Sequence, residues 1–321
     1  MKILVIRRDN IGDLLCTTPL LASLRQTYPQ AWIGVLANSY NAPALAGNPD
    51  VDAVFAYCKG KHRAAGESLL GVWWRTLKML VGLRRRRLDL ILVASAGGSG
   101  FARWIGARRI IAQEERGGGH EVERTQRLLQ FLGPVPAPGP MRLVADAAVR
   151  ARLQAALPAV PGDGLRLALH VSARKPSQRW PEARFVELVR RLLERGVVRQ
   201  VLLFWAPGAE DDPLHPGDDA KAGRIMAALA GLPVAPVPTR HLEELIAGLS
   251  LADVMLCADG GAMHVAAAQG KPVLALFGKS SVEQWQPWAV PRQVLQSDSQ
   301  DVADLDVETV EAAFLRLTGA A

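Results

Sequence analysis

The apolar positions fall into two series of short runs, each interleaved with amphipathic stretches. Residues 2–6 (KILVI), 32–37 (WIGVLA), 52–57 (DAVFAY) and 88–95 (LDLILVAS) read as strands, mostly with the near-continuous apolar character of strands buried on both faces. Helical patterns occupy 20–28 and 68–87. Strands that alternate with helices predict βαβ units and a parallel sheet. The stretch GPVPAPGP at 133–140 breaks the pattern and reads as a linker. Beyond it the alternation restarts, with strands expected at 165–171, 199–206, 232–237, 252–258 and 271–278. Helices are expected at 182–196, 221–230, 241–249, 261–270 and 306–317. The pattern predicts an α/β chain of two Rossmann-like doubly wound domains, 1–160 and 161–321, facing across a cleft. Ligands of such domains sit at the carboxyl ends of the strands.

Composition narrows the class. The chain has 321 residues, 49% hydrophobic and 21% charged, as folded soluble chains do. No apolar run approaches the ~20 residues of a membrane-spanning helix. The chain enters a strand at residue 2 without a basic-then-apolar leader, so no signal peptide is expected. Cys16, Cys58 and Cys257 are odd in number and far apart, which suggests neither a disulfide framework nor a zinc site and makes a reducing cytoplasm the expectation. Charge is unevenly placed. Residues 1–150 carry 21 Lys and Arg against 11 Asp and Glu, whereas the remainder carries 17 against 20. A first half at +10 suits nucleic acid, an acidic membrane surface or a phosphorylated glycan, or is simply a solvated face. No nucleic-acid motif is present, so nucleic acid is not expected as a partner.

Three turns in the second half carry candidate chemistry. In CADGGAMHVAAAQG (257–270) a strand meets Asp259, then Gly260 and Gly261, and a helix starts near Ala262 with His264 in its first turn. A helix N-terminus approached through glycines suits a phosphate; the plainer reading is a βα turn with an Asp cap and a surface histidine. In HVSARKPSQRWP (170–181), Ser172, Arg174, Lys175 and Arg179 crowd a strand end, either for a diphosphate or as a solvated basic loop. In FWAPGAEDD (204–212), Glu210 is placed for ribose hydroxyls or for turn chemistry. The first βα turn, IRRDNIGDLLCTTP (6–19), lacks the Gly-x-Gly-x-x-Gly of a dinucleotide-binding oxidoreductase. Its Asp13 reads as a helix cap or as an acid facing the cleft. AGGSG (96–100) lacks the glycine spacing and reads as a backbone turn.

Together, Gly12-Asp13, Trp180-Pro181, Pro207-Gly-x-Glu210 and Asp259-Gly-Gly-Ala-Met-His264 resemble glycosyltransferase family 9, the ADP-heptose:lipopolysaccharide heptosyltransferases. The resemblance runs over nearly the whole chain. It implies a GT-B fold, acceptor binding by the first domain and nucleotide-sugar binding by the second. It implies an inverting transfer with no cofactor and no bound metal, Asp13 as general base, and donor contacts from Ser172, Glu210, Asp259, Gly260, Gly261, Ala262 and His264. Arg174, Lys175 and Arg179 would serve the donor diphosphate. Many family members carry a lysine where this chain has Gln178, and Ser or Thr where it has Gly260. Those departures keep open a GT-B transferase using another nucleotide sugar, or a protein or natural-product acceptor.

On the acceptor side, the resemblance implies an anionic lipopolysaccharide core, with Arg8, Lys59, Lys61 and Arg63 as candidates to bind it. Arg8 is also placed to orient Asp13. Residues 68–87 place Leu, Val and two Trp before a run of four Arg. This reads as a core-packed helix with a charged end; the alternative is peripheral contact with the anionic inner leaflet.

Overall fold

A computed structural model describes residues 1–58, 68–95, 97–113, 117–134, 136–211 and 217–320. Lys59, Lys61 and Arg63 lie outside the described residues. The chain divides into two compact units, Met1–Val144 and Ala145–Ala321.

The first unit holds strands β1 (Lys2–Ile6), β2 (Trp32–Asn38), β3 (Ala53–Tyr57), β4 (Leu88–Val93) and β5 (Ala107–Ala112). They form one parallel sheet in the order β3-β2-β1-β4-β5. Its helices are α1 (Ile11–Leu15), α2 (Thr18–Thr27), α3 (Leu69–Arg85), α4 (Ser99–Ile105) and α5 (Glu121–Gln126). Ile3, Leu4, Val5 and Ile6 are all fully buried, which accounts for the unbroken apolar run of β1. Residues 133–140 form neither helix nor strand among those described.

The pattern put the division at 160/161, yet it falls at 144/145. Past the proline-rich stretch, Met141 is buried, the Arg142 amide donates to Thr18 Oγ1 at 2.9 Å, and its guanidinium pairs with Asp50 at 2.8 Å. These contacts hold 141–142 to the first unit. Helix α6 (Ala147–Ala156) packs instead on α9 (Leu242–Leu249).

The second unit has strands β6 (Leu165–His170), β7 (Val198–Trp205), β8 (Val234–Pro238), β9 (Val254–Ala258), β10 (Val273–Phe277) and β11 (Arg292–Gln296), all parallel, in the order β11-β10-β9-β6-β7-β8. Its remaining helices are α7 (Glu182–Glu194), α8 (Asp219–Ala228), α10 (Gly261–Ala268), α11 (Val282–Trp285) and α12 (Val307–Thr318). Trp180 anchors the core beneath α7, edge-on to Phe185, with its indole N–H donated to Leu305 O at 2.9 Å. Each sheet therefore reverses its strand order once, between β1 and β4 and between β6 and β9. Those reversals are the switch points at which such folds hold ligands.

Candidate functional site

In the first unit, the chain leaves β1 at Arg7 and enters α1 at Ile11. Buried Asn38 and Asn41 clamp this turn. Asn38 Nδ2 donates to Arg8 O at 3.0 Å and Asp9 O at 2.7 Å, and Asn41 Nδ2 to Asp9 O at 3.2 Å. Asp13 lies in the first turn of α1, where its Oδ2 accepts the Asn10 amide at 3.0 Å. Asp13 is therefore not the cap of a following helix: Asn10 is the N-cap of α1, and Asp13 returns one carboxylate oxygen to its amide. The other accepts from Arg7 Nη2 at 2.6 Å.

Arg7, and not Arg8, orients Asp13. The Arg7 side chain is 3% exposed and spans the switch point, donating to Ala94 O just past β4 and to Glu121 Oε1 at 2.9 Å, with Asp9 at 3.3 Å from Nε. Glu121, 4% exposed at the start of α5, also pairs with Arg124 at 3.3 Å. Burial opposes the Arg7 charge, but the Asp13, Glu121 and Asp9 carboxylates outweigh it and hold the guanidinium above its ordinary value. Arg8 turns the other way. Its guanidinium stacks over Phe101 at 4.1 Å and Tyr57 at 4.6 Å, and Nη1 donates to Gly97 O at 2.7 Å. Gly98 caps α4, so residues 97–100 serve as a helix entry.

In the second unit, the basic loop after β6 folds onto the end of β10. A side chain at Gly278 would put its Cβ 2.4 Å from Ser177 O, so glycine permits this close approach. The result is a polar chain: Lys175 Nζ reaches Ser280 Oγ at 3.4 Å, and Gln178 Nε2 reaches the same hydroxyl at 3.3 Å and Asp259 Oδ2 at 2.8 Å. Lys175 thus shares the Ser280 hydroxyl with buried Gln178, whereas Arg179 donates to Ala173 O at 3.1 Å; Arg174 is exposed. Asp259 therefore engages the loop, not the following helix: α10 is capped by exposed Gly260 without a side-chain bond, and the space beside Gly260 is open. His264 is buried, edge-on to Trp285 at 6.0 Å, and so is no surface histidine; Ala262 is buried and Gly261 half-buried at the start of α10.

Ser172 Oγ accepts the Ala206 amide at 2.9 Å, tying the end of β6 to the end of β7. The Pro207–Glu210 turn is closed by Gly217 N to Ala209 O at 2.8 Å and by Asp219 Oδ2, which accepts the Gly208 amide at 3.0 Å. Glu210 pairs with Arg224 at 3.1 Å, which also holds Glu182 at 2.8 Å. Two buried charges close to these turns were not singled out from the sequence. One is Glu121. The other is Lys221 of α8, which donates to Val171 O at 2.8 Å and lies 5.4 Å from the Phe185 ring. Burial lowers its pKa, with the Asp218 and Glu182 carboxylates opposing. Its signal was a lysine on the apolar face of α8, beside Ala222 and Ile225.

Comparison with known proteins gives the fold and the family. A glycosyltransferase family 9 protein from Veillonella parvula superposes over 100% of this chain and 97% of its own, with a TM-score of 0.81 at 18% identity. Heptosyltransferase II of Escherichia coli superposes over 99% and 98%, with a TM-score of 0.76 at 22% identity. An E. coli heptosyltransferase solved with ADP gives 0.77 at 17%, over 99% and 100%. The architecture is the GT-B glycosyltransferase fold. The sequence profile of glycosyltransferase family 9 (heptosyltransferase) matches residues 96–314. The chain belongs to that family and is a glycosyltransferase. Lipopolysaccharide heptosyltransferase 3 of E. coli K12 is 26% identical over 86% of this chain and 82% of its own length. Lipopolysaccharide heptosyltransferase 1 of Pseudomonas aeruginosa is 27% identical over 88% and 79%.

Proposed function

We propose that this protein moves a heptose from ADP-heptose to the anionic core of lipopolysaccharide, on the cytoplasmic side of the membrane, with inversion and without a bound metal. The observation that carries the reading is Asp13, a carboxylate fixed at the switch point of the first sheet by a buried arginine. In the reaction, an acceptor hydroxyl oxygen bonds to the anomeric carbon while Asp13 takes its proton. The bond from that carbon to the diphosphate breaks, and ADP leaves with the electron pair.

The second unit has the chemistry for the donor. The open N-terminus of α10 at Gly260, Gly261 and Ala262 offers backbone N–H groups to phosphate. Lys175 leads the cations, with Arg174 and Arg179 beside it. Glu210 suits ribose hydroxyls, and Ser172, Asp259 and His264 complete the donor set. Arg8, held over the rings of Phe101 and Tyr57, is the described candidate for an acceptor anion; Lys59, Lys61 and Arg63 are proposed with it from sequence.

Thermal shift and transfer assays test this directly. ADP-heptose is expected to stabilise the protein and to be transferred to truncated lipopolysaccharide, with chelator present. Stabilisation by a UDP- or GDP-sugar alone would replace the donor. That alternative is favoured by Gln178, an amide bound to Asp259 where many family members have lysine.

A further inference from the structure

Helix α3 does not bury its apolar residues as a core helix would. Only Val72, Leu80 and Leu83 are buried along it. Leu69 is 54% exposed, Leu70 84%, Trp73 73% and Trp74 69%, and Leu77 continues the row. At 100° per residue these five positions occupy one stripe on the amino-terminal half of the helix, beside the face that packs on the sheet. Exposed apolar patches of this size mark interaction sites.

The charge carried by the helix itself is of one sign. Between Ser68 and Arg87 there are six Arg and Lys and no Asp or Glu. Lys78 and Arg85 border the stripe, and Arg84 stacks 5.9 Å from the ring of Trp104 on α4, itself 40% exposed. Tryptophan and leucine flanked by arginine and lysine are the composition of a segment that lies in a membrane interface. No helix among the described residues is long and apolar enough to cross a membrane.

We propose that α3 is an interfacial anchor that seats this protein on the surface of an anionic phospholipid bilayer. Leu70, Trp73 and Trp74 enter the boundary between headgroups and acyl chains, and Lys78 and Arg85 beside them meet lipid phosphates. An acid-free helix fits that surface better than a protein partner, whose polar rim carries both charges and paired hydrogen bonds. The inference goes beyond sugar transfer and does not depend on the donor.

The test is co-sedimentation of the full chain with vesicles that contain no glycolipid. Binding to phosphatidylglycerol-containing vesicles is expected, weakening as salt rises, with little binding to phosphatidylcholine alone. The double variant Trp73→Ala/Trp74→Ala should bind at least ~10-fold more weakly with an unchanged melting temperature, since both side chains are exposed. Absent binding by the wild type, equal binding to neutral vesicles, or unaltered binding by the double variant would each overturn the proposal. So would lipid-independent self-association that the double variant abolishes, because a second copy would then cover the stripe.

Discussion

Arg7 donates to Asp13 Oδ1 at 2.6 Å, and the same buried guanidinium holds Glu121, distant in sequence, at 2.9 Å. One cation thus joins the end of β1 to the start of α5 and balances several carboxylates. Its removal would leave those carboxylates crowded together without the cation they share. Arg7→Met is expected to cost about 3–5 kcal/mol of stability in urea unfolding. A cost within measurement error would mean that the cluster does not hold the turn.

Asp13 has two tasks that a single variant can separate. Asparagine can still accept from the Asn10 amide, but it cannot take a proton from an attacking hydroxyl. Asp13→Asn is expected to keep the fold and donor affinity while turnover drops about 10²–10⁴-fold. Near-normal turnover would reduce Asp13 to its structural bonds with Asn10 and Arg7. Glu121→Gln should lower turnover less, again with donor affinity kept, because it acts through Arg7.

Gly278 tests the donor side. A methyl there collides with the Ser177 carbonyl, a backbone atom that can yield only if the basic loop moves. Gly278→Ala is expected to weaken ADP binding about 10-fold or more in calorimetry, by displacing Lys175 and Gln178 from Ser280. Lys175→Ala in the wild-type loop should weaken it in the same direction. Unchanged affinity in both would remove this loop from the donor site.

His170 gives the protein an acid limit. Burial pushes its pKa down to about 4, a hydrogen bond with the Ser172 backbone opposing and the Lys221 charge assisting. The unfolded ring takes a proton below about 6.5, whereas the folded ring waits until about 4. Protonation therefore favours the unfolded chain, and stability falls as pH drops through that window, by up to about 3 kcal/mol. His170→Asn should flatten this part of the stability–pH curve; an unchanged curve would assign the acid loss to other groups.

The sheets were legible where strands are buried on both faces, as in KILVI and VLALF. Strand β5, ARRIIA, escaped because it is an edge strand with two exposed arginines, so its run is neither continuous nor cleanly alternating. Strand β11, RQVLQ, escaped for the same reason. Helix α6 buries no residue fully and so has no apolar stripe to read. The candidate site was legible as far as local turns carry it: Asp13, the basic loop and the Asp-Gly-Gly turn all stand at strand ends. Glu121 and Lys221 were not, since their roles arise from contacts that only the folded sheet order creates. The sequence pattern of α3 suggested a core helix because it records which residues are apolar and not which face finds a neighbour.

Strand β8, VAPVP, closes one margin of the second sheet against β7. Its odd-numbered residues face β7, as the Thr239 amide bonding to Trp205 O requires. The even-numbered ones point outward, and there Pro236 and Pro238 have no N–H, while the Val234 amide is spent on Leu232 O at 2.7 Å. A strand from another molecule that approached this margin would find carbonyls and no donor. Stacking of sheets from copy to copy is blocked at this side by the covalent chemistry of two imino acids, whatever the concentration of the enzyme.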